Sequence, residues 1–138
     1  MTDDFVLHEG LAADCITLDD WPLCRVLLMN DATYPWLILV PRRPGLRDFH
    51  DVGAGDMPRF TDEIGKASRA LQSAFKAEKM NLAALGNMVP QLHVHIIARF
   101  TSDPAWPGPI WGKVPAAPYE PGALQVRVDL LKEAFEET

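Results

Sequence analysis

The chain has 138 residues, 48% of them apolar and 23% charged, with a net charge of −6. This fits a single domain, residues 1–138, with a sizeable core, and it argues against broad binding to DNA or RNA, which needs a basic footprint, while leaving room for a small phosphate ligand. No apolar run reaches the ~18 residues of a membrane span, Met1-Thr2-Asp3-Asp4 is acidic where a secretory leader is basic, and Cys15 and Cys24 form no Cys-x-x-Cys pair, so a cytoplasmic chain with two small reduced thiols is expected.

Phe5-Val6-Leu7 is a short apolar run suited to an edge strand, and His8 to Asp14 suits one helical turn. Cys15 to Leu18 reads as a strand, Asp19-Asp20-Trp21-Pro22 as a turn, and Leu23 to Met29 as a second strand, a hairpin or meander. After the polar loop 30–35, Trp36 to Val40 is an unbroken apolar run closed by Pro41, the pattern of a central strand covered on both faces. Arg42, Arg43 and Arg47 then interrupt the apolar pattern. Met57, Phe60, Ile64, Ala67, Leu71, Ala74 and Phe75 recur at helical spacing. Asp56 is the expected N-cap and Pro58 fits the first turn. Arg59, Asp62, Glu63, Lys66, Arg69 and Lys76 fall on the opposite, polar face.

Asn81 to Leu85 reads as a strand, joined through Gly86-Asn87-Met88 to a hairpin neighbour over Gln91 to Arg99. That last segment alternates. Leu92, Val94 and Ile96 should enter a core, while Gln91, His93 and His95 share the other face about 7 Å apart. From Phe100 to Gly122 six prolines forbid regular structure, and Trp106 and Trp111 suggest a loop packed against something. Asp129 to Glu137 looks helical. The sum is an α+β domain: an antiparallel sheet of about five strands, one long central helix and a short C-terminal one.

Two imidazoles on one strand face have three uses. They can hold a metal, but His8, His50 and the carboxylates have no spacing that places a third ligand. They can act on phosphorus, which requires one ring with a bare nitrogen, its other nitrogen donating to a fixed carbonyl, and a second ring donating to the phosphate. Or they can simply fill a polar face. Backbone N–H groups of Gly86-Asn87-Met88 lie next to such a site, the glycine allowing close approach. Arg99 either adds positive potential or is a solvated surface arginine.

Gln91-Leu92-His93-Val94-His95-Ile96-Ile97 resembles the signature of the histidine triad (HIT) superfamily, His-φ-His-φ-His-φ-φ with φ apolar. Gly86-Asn87-Met88-Val89-Pro90 matches the family's lead-in, Leu37 to Arg42 its strand ending in Pro-Lys/Arg, and Ala105-Trp106-Pro107-Gly108 its Trp-Pro loop. The resemblance runs in order through residues 15 to 110. It implies a HIT-like fold and a nucleotide hydrolase or nucleotidyl transferase. The expected substrates are dinucleoside polyphosphates or adenosine phosphoramidates, with no metal or cofactor and a homodimer whose sheets join. By resemblance His93 is the nucleophile, His95 contacts the phosphate, and Asn30 holds the ribose with Asp31 competing. Leu28 lines the base pocket, and Gly86 and Asn87 border the phosphate. The sequence departs at three places: Gln91 replaces the first triad histidine, Met88 a Ser/Thr, and Pro35-Trp36 a Gly-His pair. A glutamine forms hydrogen bonds in both directions but carries no proton between groups. In the galactose-1-phosphate uridylyltransferase branch a glutamine stands at the third triad position, so such a replacement is compatible with nucleotidyl transfer. Two alternatives stay open: a nucleotide-binding module without catalysis, motivated by Gln91 and Met88, and a metal-binding protein using His93 and His95. The departures also make Gln91→His an informative change, expected to raise turnover unless the pocket is rebuilt around the glutamine.

Overall fold

The computed structural model describes residues 4–138; Met1-Thr2-Asp3, the start of the acidic segment, lies outside them. Helix α1 (Glu9–Asp14) leads into strands β1 (Cys15–Asp20), β2 (Cys24–Met29) and β3 (Trp36–Pro41). Helix α2 (Met57–Phe75), strands β4 (Lys79–Ala83) and β5 (Val94–Arg99), and helix α3 (Pro121–Glu136) follow. The sheet order is β1-β2-β3-β5-β4, and every neighbouring pair is antiparallel. The α+β sheet expected from the sequence is therefore present. Among the described residues no helix is long and apolar enough to cross a membrane.

The period of two in the strands sorts side chains onto two buried faces. On one, Val26, Leu28, Leu37, Leu39, Val94 and Ile96 pack against Phe60, Ala67 and Leu71 of α2 and Leu131 and Phe135 of α3. On the other, Leu27, Trp36, Ile38, Val40 and Ile97 are covered by Leu11 of α1 and by Ala105 and Ile110 of the proline-rich segment. All of β3 is buried, as its unbroken apolar run required.

Several local expectations are corrected. Phe5 to Leu7 forms no strand, β1 extends through Asp20, and β4 is displaced to Lys79–Ala83. The paired part of the signature strand opens only at Val94, since Pro90 and the turn at Gln91 precede it. α3 begins at Pro121 and spans 16 residues, so it is not short; a proline at the first helical position lacks only an N–H that would be unpaired anyway. Asp56 occupies the N-cap position of α2, yet its carboxylate binds the Arg43 guanidinium at 2.9 and 3.1 Å instead of capping. Glu63 is not on a solvated face. It is buried and accepts the backbone N–H groups of Leu23 and Cys24 at 2.9 and 2.7 Å, tying α2 to the start of β2. Both cysteines are free, Cys24 buried and Cys15 half-buried. Burial, with the charge of Asp14, pushes the Cys15 thiol up to about 12.

Candidate active site

The alternation of faces runs back from β5 to Leu92. Leu92, Val94 and Ile96 join the helix-side core, and His93 and His95 turn to the face covered by α1 and the proline-rich segment. Their ring centroids are 4.9 Å apart at an interplanar angle of 69°, and each residue is 6% exposed.

Hydrogen bonding fixes the tautomer of both rings. Nδ1 of His93 lies 2.7 Å from the Gln91 carbonyl oxygen. A carbonyl only accepts, so Nδ1 carries the proton and Nε2 keeps its lone pair. The Trp36 indole N–H points at Nδ1 of His95 at 3.1 Å. An indole only donates, so the proton of His95 sits on Nε2. Burial, reinforced by the nearby His93, pushes His95 down to about 4. Burial also lowers His93; the bond to Gln91 works against it and the ring of His8 with it. At pH 7 the pair is therefore one bare nitrogen beside one N–H donor, both neutral.

The rings open on a cleft of about 340 Å³, within the range of small-molecule sites. Leu11, Met29 and Ile38 form an apolar wall, Leu85 to Val89 form a rim, and Trp111 stands edge-on to His95 at 5.2 Å. A second recess of about 230 Å³ reaches His93 and is lined by Arg47, Asp48 and His50 among others. Gly86 and Asn87 line the first cleft as the lead-in suggested. Gly86 has φ +74°, a region that favours glycine. Met88, where a hydroxyl is usual, is 92% exposed on the rim.

Other expected site residues lie elsewhere. Leu28 faces the helices and is fully buried there; its neighbour Met29, on the opposite face, reaches the cleft. The Asn30 side-chain oxygen accepts the N–H of Tyr119 at 2.9 Å, and Asp31 accepts from Thr33 and Ala117 at 3.0 and 3.2 Å. Both hold the segment before α3 and neither lines the cleft. Arg99 is neither a phosphate ligand nor a surface arginine. It is 1% exposed, forks onto Asp103 at 2.8 and 3.0 Å, and donates to Asn81 and the Gly108 carbonyl. Its task is to pin the proline-rich segment to the sheet. The Gln91 side chain is turned out of the cleft as well. Its oxygen accepts the N–H of His8 at 2.8 Å and its nitrogen donates to the Val6 carbonyl at 2.9 Å, so only its backbone carbonyl reaches the His93 ring.

Sequence reasoning missed that Trp111 and the α1 wall line the cleft and that His8 is tied to Gln91. Trp111 had a signal, a tryptophan in a loop too proline-rich to fold alone. The link between His8 and Gln91 crosses 83 positions and had none. Among the described residues no three His, Cys, Asp or Glu side chains gather into a metal-ligand set. Both triad rings already use Nδ1, so only two Nε2 atoms remain, fewer than a protein-bound zinc needs.

A family model described as the HIT domain matches residues 12–102. Three solved structures are close in fold and sequence. A histidine triad protein from Bradyrhizobium japonicum is 44% identical with a TM-score of 0.92, covering 95% of this chain and 98% of its own. One from Marinobacter aquaeolei is 47% identical with a TM-score of 0.93, covering 96% and 97%. One from Sinorhizobium meliloti is 40% identical with a TM-score of 0.93, covering 97% and 99%. No curated protein sequence matches significantly.

Proposed function

The chain belongs to the HIT domain family, and on that premise we propose that it is a nucleotide hydrolase or nucleotidyl transferase working through a covalent nucleotidyl-His93 intermediate. One observation carries the proposal: His93 donates Nδ1–H to the Gln91 carbonyl and presents a bare Nε2 beside the cleft. A histidine held this way is a nucleophile at neutral pH without prior loss of a proton. Nε2 attacks the nucleotide phosphorus, the phosphoanhydride or phosphoramidate bond breaks, and water or another acceptor then displaces His93. His95, with its proton on Nε2, donates to a phosphoryl oxygen and gains most where negative charge grows. The apolar wall of Leu11, Met29 and Ile38 suits a flat base, and Asn87 and Gly86 suit the phosphate edge. Dinucleoside polyphosphates and adenosine phosphoramidates are the substrate classes. No step requires a metal.

The test is to incubate the protein with an activated adenosine phosphate and weigh it intact. The expected result is a mass increase of one AMP that is absent in His93→Ala. Tight AMP binding with neither adduct nor turnover would instead make the chain a binding module. That outcome is what the outward-turned Gln91 and exposed Met88 would mean if they had disabled the site. We place a second copy of the chain along β4, an outer strand whose Leu82 is 53% exposed; an unpaired edge with an apolar side chain favours pairing with another strand.

A further inference from the structure

We propose that the recess beside His93, walled by Arg47 and Phe49, is a leaving-group site: it takes the phosphate chain and nucleoside that depart when His93 captures the nucleotide, with the Arg47 guanidinium donating to that chain. The inference rests on the nucleotidyl-transfer reading above and narrows its substrates to those whose departing group ends in phosphate.

His93 borders both the cleft and the recess of about 230 Å³, and Leu85 and Gly86 form the rim that the two spaces share. A backbone hydrogen bond sets Arg47 beside the histidine. Leu92 donates its N–H to the Leu46 carbonyl at 3.0 Å, so the residues that follow each, His93 and Arg47, meet at the same recess. Asp51 fixes the turn by accepting the N–H groups of Arg47 and Asp48 at 3.2 and 2.9 Å. The Arg47 side chain is then left over. Of the three arginines after β3, Arg42 donates to the Trp21 carbonyl and Arg43 forks onto Asp56. Arg47 forms no side-chain hydrogen bond or ion pair among the described residues, and a guanidinium fork matches phosphate oxygens. Phe49 and Leu85 line the same recess and are 46% and 50% exposed, an apolar surface on which a departing base can rest. The Asp48 carboxylate also lines it and opposes an anion, which supplies a control of opposite sign.

The chemistry of departure points the same way. The Nε2 lone pair of His93 forms the P–N bond, the bridging P–O bond breaks, and its oxygen keeps the electron pair. A phosphate-terminated group leaves in that form without gaining a proton, since its last pKa is about 6. An amine departing from a P–N bond must gain one as it goes. His93 and His95 are neutral at pH 7 and Gln91 relays no proton, so these side chains supply no acid for an amine.

The experiment follows AMP transfer to His93 in a single turnover from two donors, diadenosine tetraphosphate, which releases ATP, and adenosine phosphoramidate, which releases ammonia. Wild-type protein that forms no adduct with either donor or with an activated adenosine phosphate disproves the nucleotidyl-transfer reading itself. Given an adduct from the activated donor, the expected result is faster transfer from the tetraphosphate than from the phosphoramidate. Arg47→Gln should slow the tetraphosphate reaction about 10-fold and the phosphoramidate reaction far less. Asp48→Asn should speed the tetraphosphate reaction. Equal losses from both donors in Arg47→Gln would show that Arg47 only shapes the loop next to His93 and would overturn the proposal. So would full tetraphosphate rate in that variant, a tetraphosphate rate that Asp48→Asn does not raise, or wild-type protein that takes AMP from the activated donor and none from the tetraphosphate.

Discussion

At the scale of single residues, the chemistry depends on which nitrogen of each histidine holds its proton. Trp36 sets this for His95, since its indole N–H occupies Nδ1. Trp36→Phe keeps an aromatic ring against Tyr34 and Trp111 but removes that donor. The His95 proton is then free to sit on Nδ1, and we expect adduct formation to slow about 10-fold with AMP affinity much less affected. Nitrogen-15 NMR should place the His95 proton on Nε2 in wild type and on both nitrogens in the variant; an unchanged spectrum would contradict this. Position 91 is the second case. The signature alone suggests that Gln91→His restores activity. The structure argues for the opposite, because an imidazole cannot accept from His8 and donate to Val6 with the reach of a carboxamide. Gln91→His should lower turnover, and a rise in steady-state rate would mean that the N-terminal segment does not serve the site. Much at this scale was legible. The pair His93 and His95, the nearby turn and the need for a carbonyl at Nδ1 all follow from spacing and from what an attacking imidazole requires. The roles of Gln91 and Arg99 were not, because each is set by partners brought together only on folding.

At the scale of elements, two polar contacts hold the frame that positions these rings. Arg99 and Asp103 are both almost inaccessible, and the guanidinium holds the Asp103 carboxyl down at about 2. Arg99→Met would leave that carboxylate buried without its partner and loosen the segment carrying Trp111. Removing one member of a buried pair costs ~3–5 kcal/mol, so a urea midpoint close to wild type would count against this role. Glu63 is the comparable link on the other face, where two backbone N–H groups depend on one carboxylate. Glu63→Gln puts an NH2 against one of them and should cost ~1.5–3 kcal/mol, readable in the same denaturation. The elements themselves were largely visible in the sequence: the buried run of β3, the amphipathic period of α2 and the hairpin ahead of the signature. The misplacement of Glu63 has a physical cause. A helical wheel sorts residues by average polarity and cannot see that the turn into β2 arrives with two unpaired N–H groups.

At the scale of the whole molecule, the site makes the fold sensitive to acid. The unfolded chain takes protons on His93 and His95 as pH falls through about 6.5, while the folded protein resists them, His95 down to about 4. The unfolded state therefore binds more protons in that window, and stability must fall as pH drops from 6.5 to 4. The loss should be on the order of 3 kcal/mol; a folding stability flat over that range would show that the rings are not buried neutral. The second copy proposed along β4 is tested by Leu82→Asp, which should convert a dimer to a monomer in analytical ultracentrifugation, whereas an unchanged dimer would move the interface elsewhere. The sheet edge was legible in the sequence only as a hairpin strand, since its place at the end of the order depends on pairings between distant segments. The central claim, that the nucleotide passes through a bond to His93, is tested most directly by the stereochemistry at phosphorus. Each in-line displacement inverts the centre, so an attack by His93 followed by an attack by water gives two inversions. With a substrate chiral at phosphorus, the account predicts net retention of configuration, and net inversion, the mark of direct attack by water, would contradict it.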